Sequence, residues 1–169
     1  GRQRGAGGTG GVGHRGLLGP GGWMEAVLAF YGSGVSGGFY NRAVVAAVEA
    51  LRAQTGDRRL VALEVGAGTG GTASSVLPVL DGSCARYVFT DVSSAFLRQA
   101  EKRFGGFRFV EYALLNIDAD PRLQGFASHE CDLIIATNVL HATPVMHRTL
   151  HSCRQLLSPG GLLVVNELQ

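Results

Sequence analysis

The sequence predicts an α/β fold, a parallel sheet flanked by helices. Short apolar runs recur between residues 60 and 166, and segments with helical periodicity separate most of them. The first run ends in a glycine-dense turn, Gly66-Ala67-Gly68-Thr69-Gly70-Gly71. The fourth, Cys131 to Thr137, is almost wholly apolar, as strands covered on both faces are. Strands alternating with helices pair in parallel through right-handed crossovers.

Residues 1–22 stand apart, because eleven of them are glycine. Such a stretch buries too little surface to offset its ordering entropy, so a disordered Gly-rich linker is expected. Residues 23–59 are expected to be a helical segment. It comprises a short helix over Trp23–Tyr31, a glycine-rich break, and a clearer helix over Phe39–Gln54 with Val44, Val45, Val48 and Leu51 on one face. Phe30–Tyr40 is read as a candidate lid, since its glycines permit hinge motion. Residues 60–169 form the expected core. Strand one is Leu60–Val65, followed by a helix over Thr72–Leu80 with Pro78 late in it. Strand two is Arg86–Thr90, followed by a helix from Ser93, a cap residue, to Phe104. Phe107–Tyr112 is strand three and Cys131–Thr137 strand four. A helix over Val145–Leu157 stops at Ser158-Pro159-Gly160-Gly161, and Leu162–Asn166 is strand five. An apolar strand left at a sheet edge is a liability. The sheet is therefore expected to be truncated after strand five, the chain being a piece of a longer polypeptide.

With 169 residues the chain suits one domain. A net charge of +2 gives no electrostatic case for nucleic acid or a membrane surface. Arg2, Arg4 and Arg15 lie among glycines with no aromatic side chain to stack on bases. No stretch approaches the roughly 20 apolar residues of a membrane span. Three widely spaced cysteines without a CxxC argue against a disulfide framework and for a reducing, cytoplasmic setting. His147 and His151 have metal-ligand spacing but no HExxH carboxylate, so they are read as a solvated helix face and no metal site is expected.

Gly66, Gly68 and Gly71 satisfy G-x-G-x-x-G, and Asp91 stands 20 residues beyond, where a carboxylate would hold ribose hydroxyls. That pattern alone permits NAD. Glu64, two residues before the glycines, shifts the reading, because a carboxylate there suits a cationic amine. S-adenosylmethionine carries such an amine and has no phosphate. The blocks LEVGAGTGGT (63–72), YVFTDVS (87–93), DLIIATNVLHAT (132–143) and LSPGGLLVVNE (157–167) resemble class I S-adenosylmethionine-dependent methyltransferases, with their Rossmann-like fold. They are most similar to the C-methyltransferase domains of polyketide synthases.

The resemblance implies a set of roles. Gly66, Ala67 and Gly68 would pack under the methionine part of S-adenosyl-L-methionine, with Glu64 on its amino group and Asp91 on the ribose. Asn116 and Ile117 would meet the adenine, although the family often has an Asp where this chain has Asn116. Asn138 and Val139 would line the methionine end. His141 would act as general base, oriented by Glu167, 26 positions later. A histidine with its ordinary pKa of about 6.5 suits that task. The implied reaction methylates the α-carbon of a β-ketoacyl thioester carried by an acyl carrier protein, beside neighbouring synthase domains. An O- or N-methyltransferase would share Glu64 and Asp91 but need no His–Glu pair. An inactive pseudo-methyltransferase fragment is the other alternative: the kept glycine turn, Asp91, His141 and Glu167 argue against decay of the site, while truncation argues for inertness of the chain as given.

Overall fold

The computed structural model describes residues 37–167. The expectations for the Gly-rich linker, the helix over Trp23–Tyr31 and most of the candidate lid lie outside the described residues. The first helix, α1, spans Gly37–Thr55. It is followed by β1 (Leu60–Val65), α2 (Gly71–Leu80), β2 (Cys84–Asp91) and α3 (Ser94–Phe104). Then come β3 (Val110–Leu114), β4 (Cys131–Thr137), α4 (Met146–Leu156) and β5 (Leu157–Asn166).

The five strands form one parallel sheet in the order β3-β2-β1-β4-β5. The chain starts at the centre, winds outward through β2 and β3, then crosses to β4 and β5. The strand order reverses beside β1, and crevices at the carboxyl ends of such strands are where open α/β sheets hold ligands.

Successive strand residues point to opposite faces, so the sheet divides two cores. One face packs Val44 and Val48 of α1, Val76 and Leu77 of α2 and Phe104 of α3 onto Ala62, Tyr87, Phe89, Leu133, Ile135 and Val164. The other packs Cys153 and Leu156 of α4 onto Leu63, Val65, Val88, Ile134, Ala136, Leu163 and Val165.

β1 and β4 fall where the apolar runs predict them; three expectations shift. The third strand begins at Val110 rather than Phe107. The Phe107 N–H donates back to Phe104 O and the Val110 N–H to Phe107 O, so this aromatic stretch closes the α3 turn. The fifth strand begins at Leu157, directly after α4, not at Leu162. The Ser158–Gly161 stop is absorbed as an irregularity within β5, between the pairs Cys131–Leu157 and Leu133–Leu162. Gly160 takes φ +79°, and a Cβ on Gly161 would lie 2.9 Å from Cys131 O. Ser93 does precede α3, but its side chain makes no cap bond. Its N–H donates instead to Asp91 Oδ1. Two 3-10 turns, Pro121–Gln124 and Leu140–Ala142, were not predicted.

Candidate active site

The glycine turn leaves the carboxyl end of β1 and enters α2. Gly66, Gly68 and Gly70 take φ of +58°, +54° and +78°, a region that side chains disfavour. A Cβ on Gly66 would overlap the Val139 side chain, and one on Gly70 would lie 2.6 Å from the Phe104 ring. Gly71 opens α2 with open space around it. The spacing motif therefore selects Gly71, whereas the backbone requires Gly70. From α3, Arg103 Nη1 donates to Thr69 O at 2.9 Å and pins the outer side of the turn.

The tip of β2 completes this half of the rim. The Ala67 N–H donates to Thr90 O at 2.9 Å. Asp91 is buried, and each carboxylate oxygen accepts one backbone N–H: Gly68 at 2.9 Å and Ser93 at 2.8 Å. Those bonds aim the carboxylate and leave each oxygen further acceptor capacity. Asn116, after β3, is exposed, and its Oδ1 accepts the Asp118 N–H at 3.1 Å. The Ile117 side chain lies in the α4-side core, so its side chain is committed to packing.

Glu64 is 1% exposed. Tyr87 donates its hydroxyl to Glu64 Oε2 at 2.7 Å. Burial disfavours the charged carboxylate and pushes its pKa from 4.5 up to about 8, with the Tyr87 hydrogen bond opposing that shift. The Tyr87 hydroxyl is itself pushed up, first by burial and then by the facing carboxylate.

The other half of the rim follows β4 and β5. Asn138 takes φ +52°, unusual for a residue other than glycine, and its N–H donates to Asn166 O at 2.7 Å. The chain then forms the turn Leu140–Ala142, which brings the Val139 side chain over Gly66. Glu167, just past β5, holds this turn. Its Oε1 accepts the N–H groups of Val139 and Leu140 at 3.0 and 2.8 Å. Its Oε2 accepts the His141 N–H at 3.4 Å and lies 2.5 Å from His141 Nδ1. With the carboxylate as acceptor, Nδ1 carries the ring hydrogen and Nε2 keeps the lone pair. The His141 side chain is 57% exposed and that of Glu167 17%, so the imidazole faces outward from a half-buried carboxylate.

Two groups of residues thus meet at one rim: Glu64, Gly66, Ala67, Gly68 and Asp91 on one side, Asn138, Val139, His141 and Glu167 on the other. Val139 against Gly66 joins them. Asn116 and Ile117 lie at the β3 end, where Asn116 bonds to Asp118 and Gln124 and Ile117 packs in the α4-side core. Sequence reasoning missed Tyr87, whose partnership with Glu64 depends on the β1–β2 register. It also missed the backbone N–H groups that Glu167 gathers. Among the described residues no cluster of His, Cys, Asp or Glu fit to hold a metal occurs, and no helix is long and apolar enough to cross a membrane.

Residues 63–163 match the methyltransferase domain family. Over 111 residues the chain is 48% identical to the highly reducing polyketide synthase pspA of Penicillium soppii, which covers 63% of this chain and 4% of that synthase. The fold resembles the CurJ carbon methyltransferase with a TM-score of 0.72 at 44% identity, over 74% of this chain and 34% of that one. The trans-methyltransferase CalH, solved with S-adenosylhomocysteine, gives a TM-score of 0.66 at 41% identity, over 73% of this chain and 37% of that one. The fold, the rim and these likenesses define a class I S-adenosylmethionine-dependent methyltransferase domain, close to those of polyketide synthases. The chain belongs to the methyltransferase domain family.

Proposed function

We propose that this domain methylates the α-carbon of a β-ketoacyl thioester presented by an acyl carrier protein, within a cytoplasmic polyketide synthase. One observation carries the reading: His141 Nδ1 on Glu167 Oε2, with the imidazole exposed at the rim. Transfer to oxygen or nitrogen has less need of a tethered base, because those atoms already hold a lone pair. A carbon acceptor must first lose a proton. The likeness to the CurJ carbon methyltransferase supports the same choice.

The residues fit S-adenosyl-L-methionine. Gly66 and Gly68 lack the Cβ that would fill the turn, leaving Ala67 between them for the methionine portion. Asp91, preset by two N–H groups, takes the ribose hydroxyls as a charge-assisted acceptor. Glu64 receives the amino group, and a cation there would offset the burial that keeps the carboxyl neutral. Asn116 and Ile117 bound the adenine, Ile117 through its backbone. Asn138 and Val139 line the methionine end. When bound, the sulfonium supplies the electrophilic methyl group.

The chain's own contribution to the chemistry is positioning and proton removal. Glu167 fixes the His141 ring so that Nε2 presents its lone pair outward, and it steadies the imidazolium once the α-proton has arrived. In the intact polypeptide, His141→Ala should abolish methyl transfer to a β-ketoacyl thioester while S-adenosylhomocysteine binding by calorimetry persists. Continued turnover would overturn the base assignment. Faster turnover on hydroxy or amino acceptors would overturn the choice of carbon.

A further inference from the structure

α4 carries His147, Arg148, His151 and Arg154 and no acidic residue. Thr149, Ser152, Cys153 and Leu156 are its buried side. The opposite side therefore looks outward, with His147, His151 and Arg154 along it and Arg148 on its flank, all four exposed. Among the described α-helices this charge pattern is peculiar to α4: α1 and α3 mix cations with Glu49 and Glu101, and α2 is uncharged. Two carboxylates approach α4 from the segment after β3, and both are engaged. Asp118 lies on the inner side, where it accepts the buried Thr149 hydroxyl at 2.8 Å. Asp120, close enough to His151 to feel its charge, is held by Arg122 at 2.6 Å. The outward face keeps its positive sign.

α4 also begins beside the chemistry. Met146 follows His141 by five positions, through the end of the turn Leu140–Ala142. From there the 11-residue helix runs about 16 Å down the side of the domain toward the start of β5. At its upper end Val145 and Met146 are 46% and 50% exposed. An apolar contact bordered by charge is the composition of a protein docking surface.

The acceptor of the proposed reaction is no free solute. Its thioester hangs from a carrier domain on a flexible arm joined through a phosphodiester. The carrier has to stop within the arm's reach of His141 and leave after one transfer, which suits a small, electrostatically steered contact. We infer that the outward face of α4, from Val145 and Met146 at the rim down to Arg154, is the docking surface for an acidic carrier domain. This rests on the carrier-bound substrate of the proposed function. Val145 and Met146 make the apolar contact next to the arm's entry, and the cations below them meet the carrier's carboxylates. Docked there, the carrier sends its arm across the Leu140–Ala142 turn to His141. The face recognises the carrier and is indifferent to the acyl group.

The test compares methylation of one acetoacetyl group in two forms by the intact polypeptide: loaded on a separate acyl carrier protein, and as its N-acetylcysteamine thioester. Arg148→Glu and Arg154→Glu should each lower kcat/KM for the carrier-borne form by about tenfold, chiefly through KM. Turnover of the N-acetylcysteamine thioester and binding of S-adenosylhomocysteine should be unchanged, which also shows that the variants fold. Met146→Asp, which removes no cation, should weaken the carrier-borne reaction in the same selective way. Added salt should slow the wild type on the carrier-borne form only. Unchanged kcat/KM for the carrier-borne form in both arginine variants would overturn this inference alone. Equal losses on both forms would make α4 a support for the site and also overturn it. A wild type that methylates the small thioester but not the carrier-borne form would overturn the carrier as partner. A wild type that methylates neither would overturn the carbon-methylation reading itself.

Discussion

Replacing Glu64 with glutamine should free the ligand-free domain from a pH dependence that the wild type cannot avoid. The Glu64 carboxyl titrates near 8 in the folded chain, against an ordinary value of 4.5. A raised folded pKa means that the native state holds a proton which the unfolded chain releases. Stability from the neutral carboxyl is therefore complete below pH 4.5, declines as pH rises, and is lost once pH passes about 8. Each pH unit in that window is worth about 1.4 kcal/mol, so the span amounts to roughly 5 kcal/mol at alkaline pH. That is a large part of the 5–15 kcal/mol typical of a whole domain. Glutamine keeps an acceptor for the Tyr87 hydroxyl and carries no proton to lose. Urea unfolding of both proteins from pH 5 to pH 9, without cofactor, should show Glu64→Gln gaining on the wild type with rising pH and levelling off above pH 8. Parallel profiles would refute the reasoning, since they would mean the carboxylate ionises in place without penalty.

Three other perturbations separate residues that the sequence alone treats alike. Gly70→Ala should cost about 2 kcal/mol or more, combining left-handed strain with the clash against Phe104, while Gly71→Ala should be neutral or mildly stabilising at a helix start; chemical denaturation compares the two. Glu167→Gln weakens the charge-assisted bonds to Val139, Leu140 and His141, and should speed amide exchange at those positions by about ten- to a hundredfold, with β1 and β2 unchanged. Cys84, Cys131 and Cys153 are buried, and burial pushes their thiols up to about 11, 12 and 12, so a thiol-specific reagent at pH 8 should label none of the three until the chain is unfolded.

The sheet was largely legible because its signal is local. Cys131–Thr137 is apolar but for Asp132 and the terminal Thr137, and it forms a strand with those same limits. The start of β5 was not legible, since Pro159 and the two glycines after it punctuate the sequence as a stop. Only the pairing partner Cys131 shows that Leu157 already lies in the sheet. The site divides in the same way. Asp91 and the glycine turn announce themselves by spacing, and the His141–Glu167 contact follows once β4 and β5 are neighbours. The Tyr87–Glu64 bond depends on register, which no single segment encodes. The choice between Gly70 and Gly71 depends on an aromatic ring brought over from α3.

The apolar stretch Leu162-Leu163-Val164-Val165 has one further consequence. Its side chains serve both faces of the sheet, so hydrophobic burial hardly distinguishes this strand from a copy of itself slipped by one residue. The polar tip does distinguish them. A slip would drive a carboxylate toward the α1 side and leave an amide facing the turn after β4. The phase of β5 is therefore locked from its end rather than along its length, by Asn166 O on Asn138 N–H and by Glu167 on the turn. An insertion or deletion among Ser158–Gly161 would be tolerated by the core yet would exchange the two polar ends. Grafting the 138–143 segment into another sheet would likewise transfer a histidine without its geometry, unless the end of the adjacent strand travelled with it.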